Sequence, residues 1–176
     1  MNIEEFWKLI HRTREASDGD VSKQVELLVE ALVQLSVEEI LDYETIMYNL
    51  MDRAYDAALW DAAYIIGCGC GDSGFSDFRA WLVAQGQDVY DKALADPESL
   101  VDLIEVDEDA QEGAFLSVVM DAYEQKTGHE IPLDPSRFRE YPVLKGTHWS
   151  EETVNERFPI LSAKFGDCER RWPLIH

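Results

Sequence analysis

The run Tyr55-Asp-Ala-Ala-Leu-Trp-Asp-Ala-Ala-Tyr-Ile-Ile66, closed by Gly67, constrains this chain more than any other stretch. It is apolar on most sides and rich in alanine. A helix that is apolar nearly all round is a buried one, and small residues let neighbouring helices approach closely. The expectation is a central helix with others packed around it.

The surrounding sequence supplies those helices. Phe6, Leu9, Ile10 and Thr13 form one stripe at helical spacing, ending near Ser17-Asp18-Gly19-Asp20, and Val25, Leu28, Val29, Leu32 and Leu35 form a second. Ser36 and Glu39 have capping-box spacing, so a third helical region starts there and runs through Met47, Leu50 and Met51 into the alanine-rich run. Phe75, Phe78, Trp81 and Leu82 mark the next helix, which stops near Gly86, and a short one follows around Val89 to Leu94. Asp96-Pro97 places an N-cap before a proline at the first helical position. Phe115, Val118, Val119, Ala122 and Tyr123 give another amphipathic helix, closed by Gly128.

Beyond this point the chain changes character. Five of the six prolines lie after residue 130, which predicts an extended, ordered segment over 129–148. Phe138, Tyr141, Trp149, Phe158, Phe165 and Trp172 are the expected anchors onto the helical body, with a brief helix from Ser150 to about Arg157. Charge changes at the same place. Residues 1–125 hold 28 acidic and 7 basic side chains, residues 126–176 hold 8 of each, and the whole carries a net charge of −21. Such a surface repels phosphate backbones and anionic membranes and attracts basic proteins, so no nucleic-acid or membrane partner is expected. No apolar run is long enough for a signal peptide or a membrane span, which predicts a cytoplasmic protein. Cys68, Cys70 and Cys168 are too few for a disulfide framework, and reduced thiols are expected.

The Gly67-Cys-Gly-Cys-Gly71 run admits three readings. Paired thiolates on zinc usually come as C-x-x-C, so C-x-C is a poor knuckle and no metal is expected. A phosphate-cradling loop needs a Lys-Ser/Thr after its last glycine, and here Asp72 would repel an anion. The third reading is a tight turn in which Gly67 takes a left-handed cap, Gly69 and Gly71 permit the reversal, and Asp72 or Ser73 caps the next helix.

Arg79 shares a helix face with Phe75 and Leu82, so its stem is buried and its guanidinium needs a partner. A structural ion pair with Asp72, Asp77 or an acid on the long helix is the bland reading; an anion-binding arginine is the alternative. The four histidines form no H-E-x-x-H or Cys-His arrangement, and Asp18-Gly-Asp20 and Asp107-Glu-Asp109 both miss the ligand pattern of a calcium loop.

Phe6-Trp7, the stretch ALWDAAYIIGCGCGDSGFSDFRAWLVAQGQDVYDKALADPESL and the later WSEETVNERFPILSAKFG together resemble a bacterial family of unknown function, DUF4240, over nearly the whole chain. Leu59-Trp60, Ala62-Ala63-Tyr64, Phe75, Asp77-Phe78-Arg79, Trp81-Leu82 and Gln85-Gly86 carry the resemblance. The family's turn is closer to Gly-Cys-Ser-Asp-Asp, so Gly71 stands for a serine here and Ser73 for an aspartate. The resemblance implies a small bacterial protein and brings no activity, substrate or cofactor.

The sequence therefore predicts an all-α, single-domain helical bundle over 1–176, with an acidic body over 1–125, a neutral, proline-punctuated C-terminal wrap over 126–176 and a monomer as the default. The leading functional expectation is a binding protein whose acidic face, Asp102, Glu105, Asp109 and Glu112, recognises a basic protein, in the manner of a toxin-neutralising immunity protein. The rival is an enzyme acting on a small phosphorylated or cationic substrate at a corner formed by Asp72, Asp77, Arg79 and Trp81. No cofactor is expected in either case.

Overall fold

The computed structural model describes residues 1–106, 110–111, 113–135, 139–147, 150 and 153–168. Among them the helical stripes become nine α-helices and one 3₁₀ segment, with no strand. The first three are α1 (Ile3–Ser17), α2 (Val21–Val33) and α3 (Val37–Arg53). Asn2 and Ser36 both close capping boxes, with Glu5 and Glu39, so the signal read at Ser36 starts α3 as expected.

The region expected to run unbroken from Ser36 to Ile66 is two helices. α3 ends at Arg53, and α4 (Ala57–Gly67) begins after Asp56, whose Oδ1 accepts from the Ala58 N–H at 2.8 Å. The break exists because Asp56 is an N-cap inside an otherwise apolar run, and because the backbone beside it pairs elsewhere. Ala57 N–H donates to the Lys145 carbonyl at 2.8 Å, and Lys145 N–H donates to that of Tyr55 at 3.1 Å. This short parallel bridge docks the proline-rich segment onto the α3–α4 junction.

α4 is buried as expected, with no exposed residue and only Ala58, Trp60, Tyr64 and Gly67 half-buried, and it shares the core with the C-terminal half of α5 (Asp72–Ala84), where every residue from Phe78 to Ala84 is buried. α6 (Gln87–Ala95) and the 3₁₀ segment Pro97–Asp102 follow, the latter capped by Asp96. α7 (Ala114–Thr127) packs on α2, α3 and α5 and ends at Gly128 in the left-handed conformation.

The glycine-cysteine turn is tight, as read, but its parts are distributed differently. Gly67 is the last residue of α4, and the left-handed position belongs to Cys68, at φ 53°. A Cβ at Gly67, or at Gly74, would meet the end of the Gln111 side chain, which would have to move aside. Gly71 is the N-cap of α5 and no side chain caps that helix, so neither Asp72 nor Ser73 does so. The expectation of reduced thiols fails at one pair. Cys68 and Cys168 form a disulfide with Cα atoms 5.5 Å apart, and Cys70 stays free. Counting cysteines missed it because the partners lie 100 residues apart and meet only when α9 packs on α4.

The C-terminal part divides in two. A strap over 129–135 and 139–147, with no α-helix among these residues, crosses the α3–α4 junction, and the tail carries α8 (Val154–Arg157) and α9 (Pro159–Phe165). The short helix expected from Ser150 starts later, at Val154. Val154, Phe158, Leu161 and Phe165 are buried in the same core as the body. Phe138, Trp149 and Trp172, also expected as anchors, lie outside the described residues. No helix among the described residues is long and apolar enough to cross a membrane.

Candidate functional site

Arg79 is where the structure departs most usefully from expectation. Its side chain is only 6% exposed, and no carboxylate of the described residues lies within ion-pair distance. Nε donates to the Phe75 carbonyl at 3.3 Å, and Nη1 donates to that of Met51 at 2.9 Å. The guanidinium carbon sits 4.8 Å from the Tyr55 ring centroid and 5.0 Å from that of Phe75. Carbonyls and ring faces thus replace the expected ion pair. The arrangement also serves α3, since Met51 is in its last turn and its carbonyl receives a cationic donor there. Burial pulls the guanidinium pKa below its ordinary value.

Nη2 donates to no described residue and is not sealed from solvent. It opens into a cavity of about 360 Å³. Met51 and Ser76 share the floor with Arg79, Tyr48 and Asp52 of α3 make one wall, and Arg139, Glu140, Tyr141 and Pro142 of the strap close the other side. The strap is fixed at two points besides the backbone bridge. Arg139 pairs with Asp52 while its guanidinium lies 5.0 Å from the Tyr48 ring centroid, and Tyr141 meets Tyr55 edge to face at 5.8 Å.

The four residues of the expected corner do not converge. Arg79 faces this cavity. Asp77 lies against Gly113 on another side of α5, Asp72 is exposed in the first turn, and Trp81 is fully buried core. A larger cleft, about 550 Å³, lies between α1 and the α5–α6 turn, but the charged residues lining it, Glu4, Lys8, His11 and Asp88, are exposed and of mixed sign. Of these two spaces among the described residues, the one at Arg79 is lined by a buried charge.

Of the expected acidic face, Asp102 and Glu105 are exposed, and Glu105 approaches Lys164 of α9 to 3.9 Å. Asp109 and Glu112 lie outside the described residues.

A second buried charge was not foreseen. Asp61 of α4 is fully buried and paired with Arg157 of α8. Its Oδ1 has no hydrogen-bond partner, and burial raises its pKa to about 6 in spite of Arg157. The free Cys70 thiol is pushed up to about 12, again by burial first, so it is not a poised nucleophile.

Tyr48, Arg139 and the strap residues were not read as a site. Nothing in their spacing signals one, because they meet Arg79 only through the docking of the strap. A family model described as a protein of unknown function, DUF4240, matches residues 1–125, so it covers the body and most of α7 but neither strap nor tail. No match was found among curated proteins or among solved structures. The Leu59-Trp60 and Asp77-Phe78-Arg79 motifs fall inside the matched span, and the chain belongs to the DUF4240 family.

Proposed function

We propose that this protein binds a small anionic ligand in the cavity floored by Arg79. The observation that carries the reading is an arginine only 6% exposed, with no ion-pair partner among the described residues, that lines an open cleft of about 360 Å³. Burying an uncompensated charge costs several kcal/mol, and an anion entering the cavity offsets that cost. The same charge disfavours a cationic ligand.

Tm measurements with acetate, phenylacetate, inorganic phosphate and phenyl phosphate test the reading. A probe at 100 times its Kd stabilises by about 2.7 kcal/mol, or roughly 5–10 °C in Tm at this size. We expect at least one probe to raise Tm in the wild type and not in Arg79→Met; no response to any of the four sinks the reading.

Capture of a basic protein by the acidic face, in the manner of an immunity protein, rests on the net charge of −21 alone. Part of that face, Glu105, is already answered by Lys164. Catalysis at the Asp72, Asp77 and Arg79 corner draws little support from side chains that diverge. The cytoplasmic assignment acquires a condition, since a Cys68–Cys168 disulfide persists where thiols are not kept reduced. Alkylation of the protein in intact cells, followed by mass spectrometry, checks it.

A further inference from the structure

We infer that the anion is the carboxylate of a monocarboxylic acid with an apolar or aromatic body, and not a phosphate; this rests on the anion-binding reading above. Three features of the cavity point the same way.

The first is the local sum of charge. Arg139 pairs with Asp52, and Glu140 stands on the same rim, so among the described lining residues Arg79 is the cation without an ion-pair partner, Asp52 acting on it only through space. A phosphate monoester brings about −1.5 to −2 at neutral pH. Its second charge would have no cation to meet and would sit beside Asp52 and Glu140 in a chain of net charge −21. A carboxylate brings one.

The second is donor geometry. With Nε and one Nη1 hydrogen held by the Phe75 and Met51 carbonyls, Arg79 has left the Nη2 group and the remaining Nη1 hydrogen. That edge fits the two oxygens of a planar carboxylate in a bidentate pair. Phosphate sites commonly draw on helix N-termini or runs of backbone N–H. Here the helix end that borders the cavity is the C-terminal end of α3, at Tyr48 to Asp52, where the dipole is negative.

The third is the lining away from Arg79. Met51, Tyr48, Tyr141 and Pro142 offer apolar and aromatic surface. About 360 Å³ is the small end of the range for small-molecule sites. A compact acid with a ring or a short branched chain fits that lining better than a sugar or a polyol.

The test is calorimetric titration of the full chain with phenylacetate, acetate, phenyl phosphate and inorganic phosphate. Phenylacetate is expected to bind about tenfold tighter than acetate and at least about tenfold tighter than phenyl phosphate. Tyr141→Ala removes one aromatic wall from a side chain that is 75% exposed, so the fold survives the change. It is expected to weaken phenylacetate about fivefold or more while leaving acetate within about twofold. Phenyl phosphate binding as tightly as phenylacetate, or more tightly, overturns the carboxylate assignment and leaves the anion reading standing. Phenylacetate binding that ignores both Tyr141→Ala and Arg79→Met overturns the assignment by placing the acid elsewhere. If none of the four binds, both readings fall together.

Discussion

Asp61 and Arg79 are buried charges on consecutive helices, and the protein treats them in opposite ways. Asp61 receives a full counter-charge, Arg157, delivered from 96 residues away by α8. Arg79 receives two carbonyls, two ring faces and an opening. A charge answered inside the fold has a structural task that is complete. A charge left facing a cavity stays open to a counter-charge from outside. The segments that reach these two sites differ in the same sense. The tail brings Val154, Phe158, Leu161 and Phe165 into the core and is tied by a disulfide, whereas the strap presents Tyr141 and Val143 largely to solvent and is held, among its described residues, by an ion pair, an edge-to-face ring contact, the Lys145 side chain and one backbone bridge.

The largest expected effect tests that difference between tail and strap. Phe165 is fully buried, and its replacement by alanine should cost about 3–5 kcal/mol in urea unfolding. Tyr141→Ala in the strap should cost less than about 1 kcal/mol, because little of its ring leaves water on folding. Comparable losses from the two would show that the strap is as much a part of the core as the tail.

Next in size is the removal of Arg157. Arg157→Ala strands the Asp61 carboxylate in the core and should destabilise by about 3 kcal/mol at pH 7. Asp61→Asn in the same background should recover most of that, since the stranded charge is gone. A single mutant as stable as the wild type would mean that Asp61 reaches water by itself.

The pH dependence of Asp61 is smaller and has an unusual sign. Its pKa is about 6 when folded and 3.8 when free, so the native state holds the proton more tightly. The stabilisation is present below about pH 4 and is lost as pH rises through about 6. Unfolding free energies at pH 5 and pH 7 should therefore show the wild type gaining on Asp61→Asn as the solution is acidified. Parallel behaviour of the two proteins would remove Asp61 as the cause.

These contrasts also explain what the sequence could and could not convey. Local signals were legible. The Ser36–Glu39 capping box, Asp96 before Pro97 and Gly128 after α7 all do what their spacing implies, because capping is decided within a few residues. The break at Asp56 was less legible, since one capping side chain was set against a long apolar period. At the turn after α4 the left-handed residue is Cys68, while the end of the Gln111 side chain lies against Gly67, and no local rule anticipates a side chain arriving from so far along the chain. The same limit applies to both buried charges. Asp61 looks like one polar interruption in an apolar helix until Arg157 is placed, and Arg79 looks like half of an ion pair until its nitrogens are found on the Phe75 and Met51 carbonyls and Asp52 on Arg139.

The smallest effect on stability is expected at Arg79, and it separates the two charges most sharply. Replacing a buried charge by an apolar side chain of similar volume is often neutral or stabilising, because the desolvation cost disappears with the charge. Arg79→Met keeps the volume against Tyr55 and Phe75 but gives up the donor to the Met51 carbonyl at the end of α3. A lost hydrogen bond of that kind costs about 1–2 kcal/mol, so the two changes nearly cancel, and the net shift should stay within about 1 kcal/mol of the wild type without added anion. An ion-paired structural arginine would behave like Arg157 and cost about 3 kcal/mol. Urea unfolding of Arg79→Met and Arg157→Ala side by side, in a buffer without phosphate or carboxylate, distinguishes the cases. Equal losses would make Arg79 a structural residue with its charge satisfied inside the protein, and would remove the ground for placing an anion there.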